Sequence, residues 1–202
     1  VHMKVKHISI AVDPEQTGNP VFGAPADLTA YILEPVEGIT DKKRPAVLLC
    51  PGGGYHKLSG REDQPIAMKY LAAGFHVFVL HYSLVPDVFP RALMELALSM
   101  KLIREHGNEW NVDVKRIAVS GFSAGGHLAC CLGTFWNKEW LYKALEVKPE
   151  MIQPNGMILC YPVITSGEYC HKGSFECLMG TEASKKDVEL RRLLSLEYQV
   201  GP

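Results

Sequence analysis

The sequence lacks any apolar run of the length that a membrane-spanning helix needs. Apolar runs such as Ala46–Cys50 and His76–Leu80 are far shorter than the ~20 residues required to cross a bilayer. It also lacks an excess of either charge, because 21 Lys and Arg residues face 22 Asp and Glu residues, for a net charge of −1. A chain without a basic excess has no electrostatic preference for nucleic acid or for an anionic membrane. We therefore expect neither as a partner.

The cysteines lack the spacing of a metal site or a disulfide framework. There is no Cys-x-x-Cys motif, and Cys170, His171 and Cys177 have no fourth ligand near them in the sequence. Cys50 and Cys160 each end an apolar run, as buried residues do. Buried free thiols are typical of a reducing compartment. We therefore expect a cytoplasmic protein without a bound metal.

Apolar segments of two different periods alternate along the chain, whose 202 residues suit one domain. Strands are predicted over 4–12, 29–33, 46–50, 76–82, 117–120 and 156–161. Helices are predicted over 62–73, 90–107, 124–136 and 184–196, the last with Ser184 and Asp187 in a capping box, while 111–115 and 165–180 are predicted as turn and loop. Strands that alternate with helices indicate a parallel sheet, here preceded by an antiparallel hairpin. We predict a single α/β domain over residues 1–202, with a mostly parallel sheet flanked by helices.

A serine flanked by glycines follows one of the predicted strands. Gly121-x-Ser123-x-Gly125 stands between the short strand-like run 117–120 and a small, apolar stretch that can continue as a helix. Strand, sharp turn and helix are the context in which a serine hydroxyl is raised out of a sheet as a nucleophile. Glycines suit this turn because it needs torsions that a Cβ resists. We predict Ser123 as a nucleophile.

A second glycine-rich turn, 51–55, follows the predicted strand 46–50. The carboxyl ends of parallel strands form the ligand crevice of such a sheet, so this turn and the Ser123 turn can face each other. The backbone N–H groups of Gly53, Gly54 and Ala124 are then candidates for an oxyanion hole, donating to an acyl oxygen as it becomes negative. No Gly-Lys-Ser/Thr follows, which excludes a phosphate-binding P-loop. Tyr55 is a candidate substrate-binding residue, because its ring or hydroxyl can shape the acyl pocket.

These two turns and several shorter segments resemble a known family. The sequence resembles the α/β-hydrolase superfamily, in its esterase and lipase branch with a Gly-Gly-Gly oxyanion loop, and especially the bacterial acetyl-esterase and xylan-esterase-like proteins. The matching segments are 51–55, 82–84, 89–90, 112–113, 121–129, 178–180 and 195–197. The resemblance implies a serine carboxylic-ester hydrolase for short acyl esters, such as acetyl groups on sugars or xylan. It implies no metal or organic cofactor.

The resemblance also implies catalytic residues that this sequence does not supply. Members of the branch carry the triad in the order Ser, Asp, His, with the acid and the base on loops after two further strands. We therefore expect a C-terminally incomplete chain that lacks the last two strands, with its acid and base beyond Pro202. The sheet edge left exposed invites pairing, so we also expect self-association or a homo-oligomer. Within the sequence, His171 with Glu168 is the alternative base and orienting acid.

Three functions remain open from the sequence. Ser123 and the glycines favour a serine ester hydrolase with a small acyl ester as substrate. The missing acid and base favour a non-catalytic hydrolase-fold protein, or an inactive fragment, that binds a ligand without turnover. A peptidase or amidase of the same fold is the third. His127, one helical turn past Ser123, is predicted as a buried packing residue rather than a base.

Overall fold

The computed structural model describes residues 2–35 and 43–201. Val1, residues 36–42 and Pro202 lie outside the described residues, so the domain limits of 1 and 202 stay a prediction. The strands are β1 Met3–Ile10, β2 Ala26–Leu33, β3 Arg44–Cys50, β4 His76–His81, β5 Val112–Phe122 and β6 Gly156–Cys160. The helices are α1 Pro14–Thr17, α2 Gln64–Ala72, α3 Arg91–Glu105, α4 Ala124–Phe135, α5 Glu139–Ala144, α6 Pro149–Ile152, α7 Lys172–Met179, α8 Thr181–Lys186 and α9 Val188–Leu194. None of the helices in these ranges is long and apolar enough to cross a membrane.

The strands form one sheet in the order β1-β2-β4-β3-β5-β6. β1 and β2 pair antiparallel, and β2 also runs antiparallel to β4. β4, β3, β5 and β6 are mutually parallel. Parallel neighbours need crossover connections, and the chain supplies them through α2, α3 and α4. The predicted α/β architecture, with a mostly parallel sheet and an antiparallel hairpin at its start, is confirmed.

The central strands are apolar throughout because both faces of the sheet are covered. Leu48 and Phe78 pack into the larger core with α3 and α4, whereas their neighbours Leu49 and Val79 pack into a smaller core with α2. All four side chains are fully buried. Successive side chains of a strand point to opposite faces, so a strand buried on both sides reads as a continuous apolar run. The cysteines are unbridged, and Cys50 at the end of β3 is buried as predicted. Cys160 is only partly buried, contrary to the prediction, because it ends β6, the edge strand of the sheet.

The segment after β6 is more helical than the sequence indicates. Residues 165–180 are predicted as a loop, but α7 occupies their second half. His171 caps this helix, because its ring nitrogen accepts from the N–H of Ser174. Phe175 and Leu178 are buried on one face of α7. The loop prediction is wrong there because a histidine cap and a short apolar face carry little signal in the sequence.

The predicted helix 184–196 is two helices, α8 and α9, which meet at Asp187. The Asp187 side chain accepts from the N–H of Leu190, so Asp187 caps α9. Ser184 instead lies inside α8, where its hydroxyl donates to the carbonyl of Thr181. The predicted capping box on Ser184 is therefore wrong, because the acidic residue of the pair is itself the cap.

The predicted turn 111–115 is shorter in the structure. Asn111 has the left-handed φ of 57° that the turn requires. β5 begins at the next residue, where Val112 pairs with Arg44, and the register shifts before Ala46 pairs with Ile117. Residues 112–115, which the sequence assigns to a turn, therefore belong to β5. The strand can include them because a bulge leaves some residues unpaired with the neighbouring strand.

Candidate active site

Ser123 lies at the sharp turn between β5 and α4. Its φ of 53° and ψ of −117° are a backbone conformation that residues with a Cβ avoid. Its N–H donates to the carbonyl of Cys160 (3.0 Å), and its own carbonyl accepts from the N–H groups of His127 (3.0 Å) and Val163 (3.1 Å). These bonds hold the strained residue from both sides. The turn raises the partly exposed Ser123 side chain out of the sheet, as the sequence predicts.

The glycines around Ser123 allow the backbone segments to meet. A Cβ on Gly121 would overlap the backbone of Gly125, and a Cβ on Gly125 would overlap the carbonyl oxygens of Cys50 and Pro51. The start of α4 therefore packs directly against the end of β3, an approach that only glycine permits. The two glycine-rich turns are brought together at this point.

The loop 51–55 reaches Ser123 itself. A Cβ built on Gly52 would lie 3.1 Å from the Cβ of Ser123. Gly53 and Gly54 have φ values of +133° and +69°, which favour glycine. Within residues 2–35 and 43–201, no acceptor hydrogen-bonds the N–H groups of Gly53, Gly54 or Ala124. Of these three predicted oxyanion donors, Gly53 is partly exposed and lines the cavity beside Ser123, whereas Gly54 and Ala124, the next residues after Gly53 and Ser123, are buried.

Two side chains fix the first half of this loop. The hydroxyl of Tyr82 donates to the carbonyl of Pro51 (2.7 Å). One oxygen of the Glu62 carboxylate accepts from the N–H of Gly52 (2.9 Å), and the other accepts from the hydroxyl of Tyr161 (2.8 Å). The bond to the carboxylate raises the pKa of Tyr161. The sequence gives no signal for Glu62, because its partners are remote in the chain and meet it only in the fold.

Tyr55 is not brought to the cavity beside Ser123, although the sequence predicts it as a substrate-binding residue. Its side chain is only 3% exposed, and its hydroxyl lies 2.8 Å from Nδ1 of His127. Its ring packs edge-on against Tyr82, with 5.9 Å between the ring centroids. Burial raises the pKa of Tyr55 well above its usual range. The left-handed φ of 60° turns this side chain inward, which residue type and spacing do not reveal.

A cavity of about 370 Å³, called here the serine cavity, opens beside Ser123. Its lining residues come from the turn after β3 and the turn after β5, and are Gly53, Lys57, Leu58, Ser59, Gly60, Arg61, Glu62 and Ser123. Lys57 and Arg61 are exposed and form no ion pair in the part of the chain that the structure describes. The cavity therefore suits a small, polar ligand.

No histidine hydrogen-bonds the hydroxyl of Ser123 among the described residues. His171 caps α7 and places Nδ1 2.8 Å from the hydroxyl of Ser174. Glu168 makes no hydrogen bond to His171 and lines a different cavity. The alternative base and acid predicted from the sequence are thus not assembled around the nucleophile. His127 is fully buried, as predicted for a packing residue, and burial lowers its pKa to about 4.

Comparison with known proteins agrees with this architecture. The BD-FAE family pattern matches residues 35–159, more than half of the chain. Endo-1,4-beta-xylanase B of Butyrivibrio fibrisolvens is 34% identical over 187 residues, which cover 89% of this chain and 27% of that protein. Acetylxylan esterase of Xylanibacter ruminicola is 30% identical over 142 residues, which cover 69% of this chain and 27% of that protein. The chain thus spans about 27% of the length of these curated relatives.

Solved structures share the fold over nearly the whole chain. The acetyl ester-xyloside bifunctional hydrolase of Caldicellulosiruptor lactoaceticus has a TM-score of 0.77 at 30% identity, covering 97% of this chain and 70% of that chain. The carboxylesterase Cest-2923 of Lactobacillus plantarum has a TM-score of 0.74 at 29% identity, covering 98% of this chain and 68% of that chain. From the family match, the sheet order and the serine turn, the chain belongs to the BD-FAE family of α/β-hydrolase esterases.

Proposed function

We propose that Ser123 is the nucleophile of a carboxylic-ester hydrolase that acts on short acyl esters. One observation carries the proposal: the strained Ser123 lies against residues 51–55, called here the glycine loop. The N–H groups of Gly53 and Gly54 in this loop have no protein acceptor in the described chain. Strain of this kind costs ~1–3 kcal/mol and persists where the surrounding structure imposes it, most often at functional sites. Relatives that carry esterase names support the same reaction class.

The reaction proceeds through an acyl-enzyme. The Ser123 oxygen attacks the acyl carbon while a base takes its proton, and the carbonyl electron pair moves onto the oxygen. N–H groups of Gly53, Gly54 and Ala124 stabilise that oxyanion, and loss of one such donor typically costs ~3 kcal/mol. The positive end of α4 adds to the same effect. Collapse expels the alcohol, which receives the proton, and water then releases the acid by the same steps in reverse.

The acyl group we propose is acetyl, carried on a sugar or a xylan fragment. The names of two relatives, acetylxylan esterase and acetyl ester-xyloside bifunctional hydrolase, support that substrate class. The serine cavity also suits it, because a cavity of about 370 Å³ with hydroxyl, carboxylate and cationic groups can accept a hydroxylated alcohol beside a small acyl group. An amide or peptide substrate has no such support.

A second candidate function is ligand binding without turnover. The observation that favours it is the lack of a hydrogen-bonded base on Ser123 within residues 2–35 and 43–201. A serine hydroxyl without an adjacent base is a weak nucleophile. In this case the pocket binds the ester through the glycine loop and releases it unchanged.

Hydrolysis of p-nitrophenyl acetate separates these functions. The protein expressed from the complete open reading frame, called here the full-length protein, is assayed beside the 202-residue chain. Each is paired with Ser123→Ala and with the control Ser184→Ala, which changes a serine of α8 that donates to Thr181. We expect turnover by the full-length protein that Ser123→Ala abolishes and Ser184→Ala preserves. Turnover that is independent of Ser123 would overturn the proposal, and ester binding without turnover would favour the second candidate.

The 202-residue chain adds a second reading in the same assay. Ser123-dependent turnover at an equal rate would place a base within it, and His171→Ala would then be the first variant to measure. Turnover confined to the full-length protein would place the base outside this chain.

A further inference from the structure

His127 connects the serine turn to the rest of the site. It lies on α4 one turn after Ser123, and its main-chain N–H donates to the Ser123 carbonyl (3.0 Å). Its ring Nε2 lies 2.9 Å from the carbonyl of Leu194. A carbonyl only accepts, so Nε2 carries the proton of the neutral ring and Nδ1 keeps its lone pair. The hydroxyl of Tyr55 therefore donates to Nδ1, at 2.8 Å.

Tyr55 ends the glycine loop in a strained conformation. A φ of 60° is rare for a residue with a bulky side chain. Its carbonyl accepts from the N–H of Val85 (3.0 Å), and its ring is packed edge-on between Tyr82 and His127. Such a conformation persists only where several contacts impose it. The bond to His127 is the one hydrogen bond made by the Tyr55 side chain in the described chain.

The glycine loop is thus held by side chains at both ends, while in its middle the Gly53 carbonyl accepts from the N–H groups of His56 and Lys57. Tyr82 and Glu62 hold Pro51 and Gly52 at its start, and His127 holds Tyr55 at its end. Between these anchors the N–H groups of Gly53 and Gly54 have no protein acceptor among the described residues. Without the His127 bond, the Tyr55 end of the loop would keep its main-chain bond to Val85 and its ring packing but would lose its side-chain hydrogen bond.

We propose that His127 is a positioning residue, which acts through Tyr55 to set the N–H groups of Gly53 and Gly54 relative to Ser123. The helix that begins with the third donor, Ala124, carries His127 as well, so one side chain ties both parts of the oxyanion hole together. This inference rests on the proposed function for its effect on catalysis. Its effect on loop geometry is independent of that function.

Three variants separate the hydrogen bonds that the His127 ring makes with Tyr55 and with Leu194. The side-chain oxygen of His127→Asn can replace Nδ1 and accept from Tyr55, whereas the amide nitrogen of His127→Gln can replace Nε2 and donate to Leu194. Tyr55→Phe removes the same bond as His127→Gln from the other side, and it leaves the ring packing and the Leu194 bond intact. Positioning predicts that Tyr55→Phe and His127→Gln behave alike, while His127→Asn resembles the wild type.

The catalytic readout is p-nitrophenyl acetate hydrolysis by the full-length protein. We expect kcat to fall about tenfold in His127→Gln and Tyr55→Phe with little change in KM, because the oxyanion contact forms in the transition state. The double variant should lose no more than either single variant, since both remove one interaction. A kcat that is unchanged in both single variants, or that falls only in step with the melting temperature across all three, would overturn the proposal.

Hydrogen exchange measures the loop without any reference to turnover. The N–H groups of His56, Lys57 and Ser59 are protected by the carbonyls of Gly53 and Gly52. In the full-length protein we expect their exchange to accelerate about tenfold in Tyr55→Phe and His127→Gln but not in His127→Asn. Equal exchange in all variants would overturn the inference. If the wild type shows no Ser123-dependent turnover but the variants still show this exchange pattern, the proposed function fails and the positioning role of His127 stands.

Discussion

Two cavities in the described part of the chain differ in size and in what lines them. The larger, the helical cavity of about 570 Å³, lies between the loop after β6 and helices α7 to α9. The serine cavity is about 370 Å³. Of these two, the serine cavity is the one lined by residues with positive φ, Gly53 and Ser123. The smaller of the two cavities thus carries the backbone strain, which is retained where other contacts impose it.

Hydrogen bonding separates the cavities in the same way. In the helical cavity the Arg191 guanidinium donates to the carbonyl of Ser166 (2.6 Å), and the Ser166 hydroxyl lies 2.7 Å from that of Ser195. These groups join the loop to α9 and stabilise the fold. In the serine cavity, the Gly53 N–H has no protein acceptor within the described residues. A donor without an internal partner is available to a ligand, so the smaller cavity carries the proposed chemistry.

The largest effect is expected at Gly53. In Gly53→Ala the new Cβ would overlap the carbonyl of Lys57, and φ of +133° is unfavourable for alanine. The loop must move, so we expect kcat for p-nitrophenyl acetate to fall on the order of 10²-fold, as for loss of one oxyanion donor. The control is Gly60→Ala, later in the segment between β3 and α2, where no atom lies within 4 Å of the new Cβ. Equal losses in both variants would remove the distinction between a strained donor and an ordinary loop residue.

The second effect is the dependence of the free energy of unfolding on pH. It involves His127, which lies between Tyr55 of the glycine loop and helices α7 and α9. Its ring contacts Tyr55 on one side and Phe175 and Leu194 on the other. The unfolded chain takes up a proton near pH 6.5, whereas burial lowers the pKa in the folded state to about 4. The unfolded state therefore binds more protons in this window, so stability falls as pH falls, by roughly 3 kcal/mol over the whole interval.

Urea unfolding at pH 7, 5 and 4 measures this dependence. His127→Asn does not titrate there and should lose less stability than the wild type between pH 7 and pH 4. The Glu197 carboxylate near the ring raises the His127 pKa and so works against burial. Identical slopes for the two proteins would show that His127 does not stay neutral in the folded state.

A smaller effect is expected at Glu62. Glu62→Ala leaves the N–H of Gly52 without its acceptor, and we expect kcat to fall about tenfold, as for the loss of a bond worth ~1.5 kcal/mol. Glu62→Gln keeps an accepting oxygen and should remain within about threefold of the wild type. Equal losses in both variants would show that the negative charge, and not the position of the loop, determines the rate.

The smallest effect is expected in the helical cavity. Glu168→Ala changes a residue of its lining, and His171→Ala removes a helix cap beside it. Neither group hydrogen-bonds Ser123 in the described chain, so we expect kcat to change less than about twofold. His171→Ala should still lower the melting temperature, since loss of a cap destabilises a helix by ~1 kcal/mol. A loss of kcat in either variant would contradict the separation of the two cavities.

The parts of the site that the sequence predicts are those set by local backbone geometry. Gly121-x-Ser123-x-Gly125 identifies the strained turn because few other residues tolerate such close packing. The parallel sheet then implies that the turn after β3 lies beside it. Glu62 and the inward direction of Tyr55 depend on partners far away in the sequence. No spacing rule indicates them, because they arise from packing between whole elements.

If Ser123 forms a covalent acyl-enzyme, peptide-mapping mass spectrometry can detect the acetyl group on the serine itself. The full-length protein is quenched in acid after rapid mixing with excess p-nitrophenyl acetate, then digested and mapped. We predict the mass of one acetyl group on the peptide that contains Ser123, and no such addition in Ser123→Ala. An acetyl group on another residue at the same rate, or turnover without any acetylated Ser123 peptide, would contradict the account.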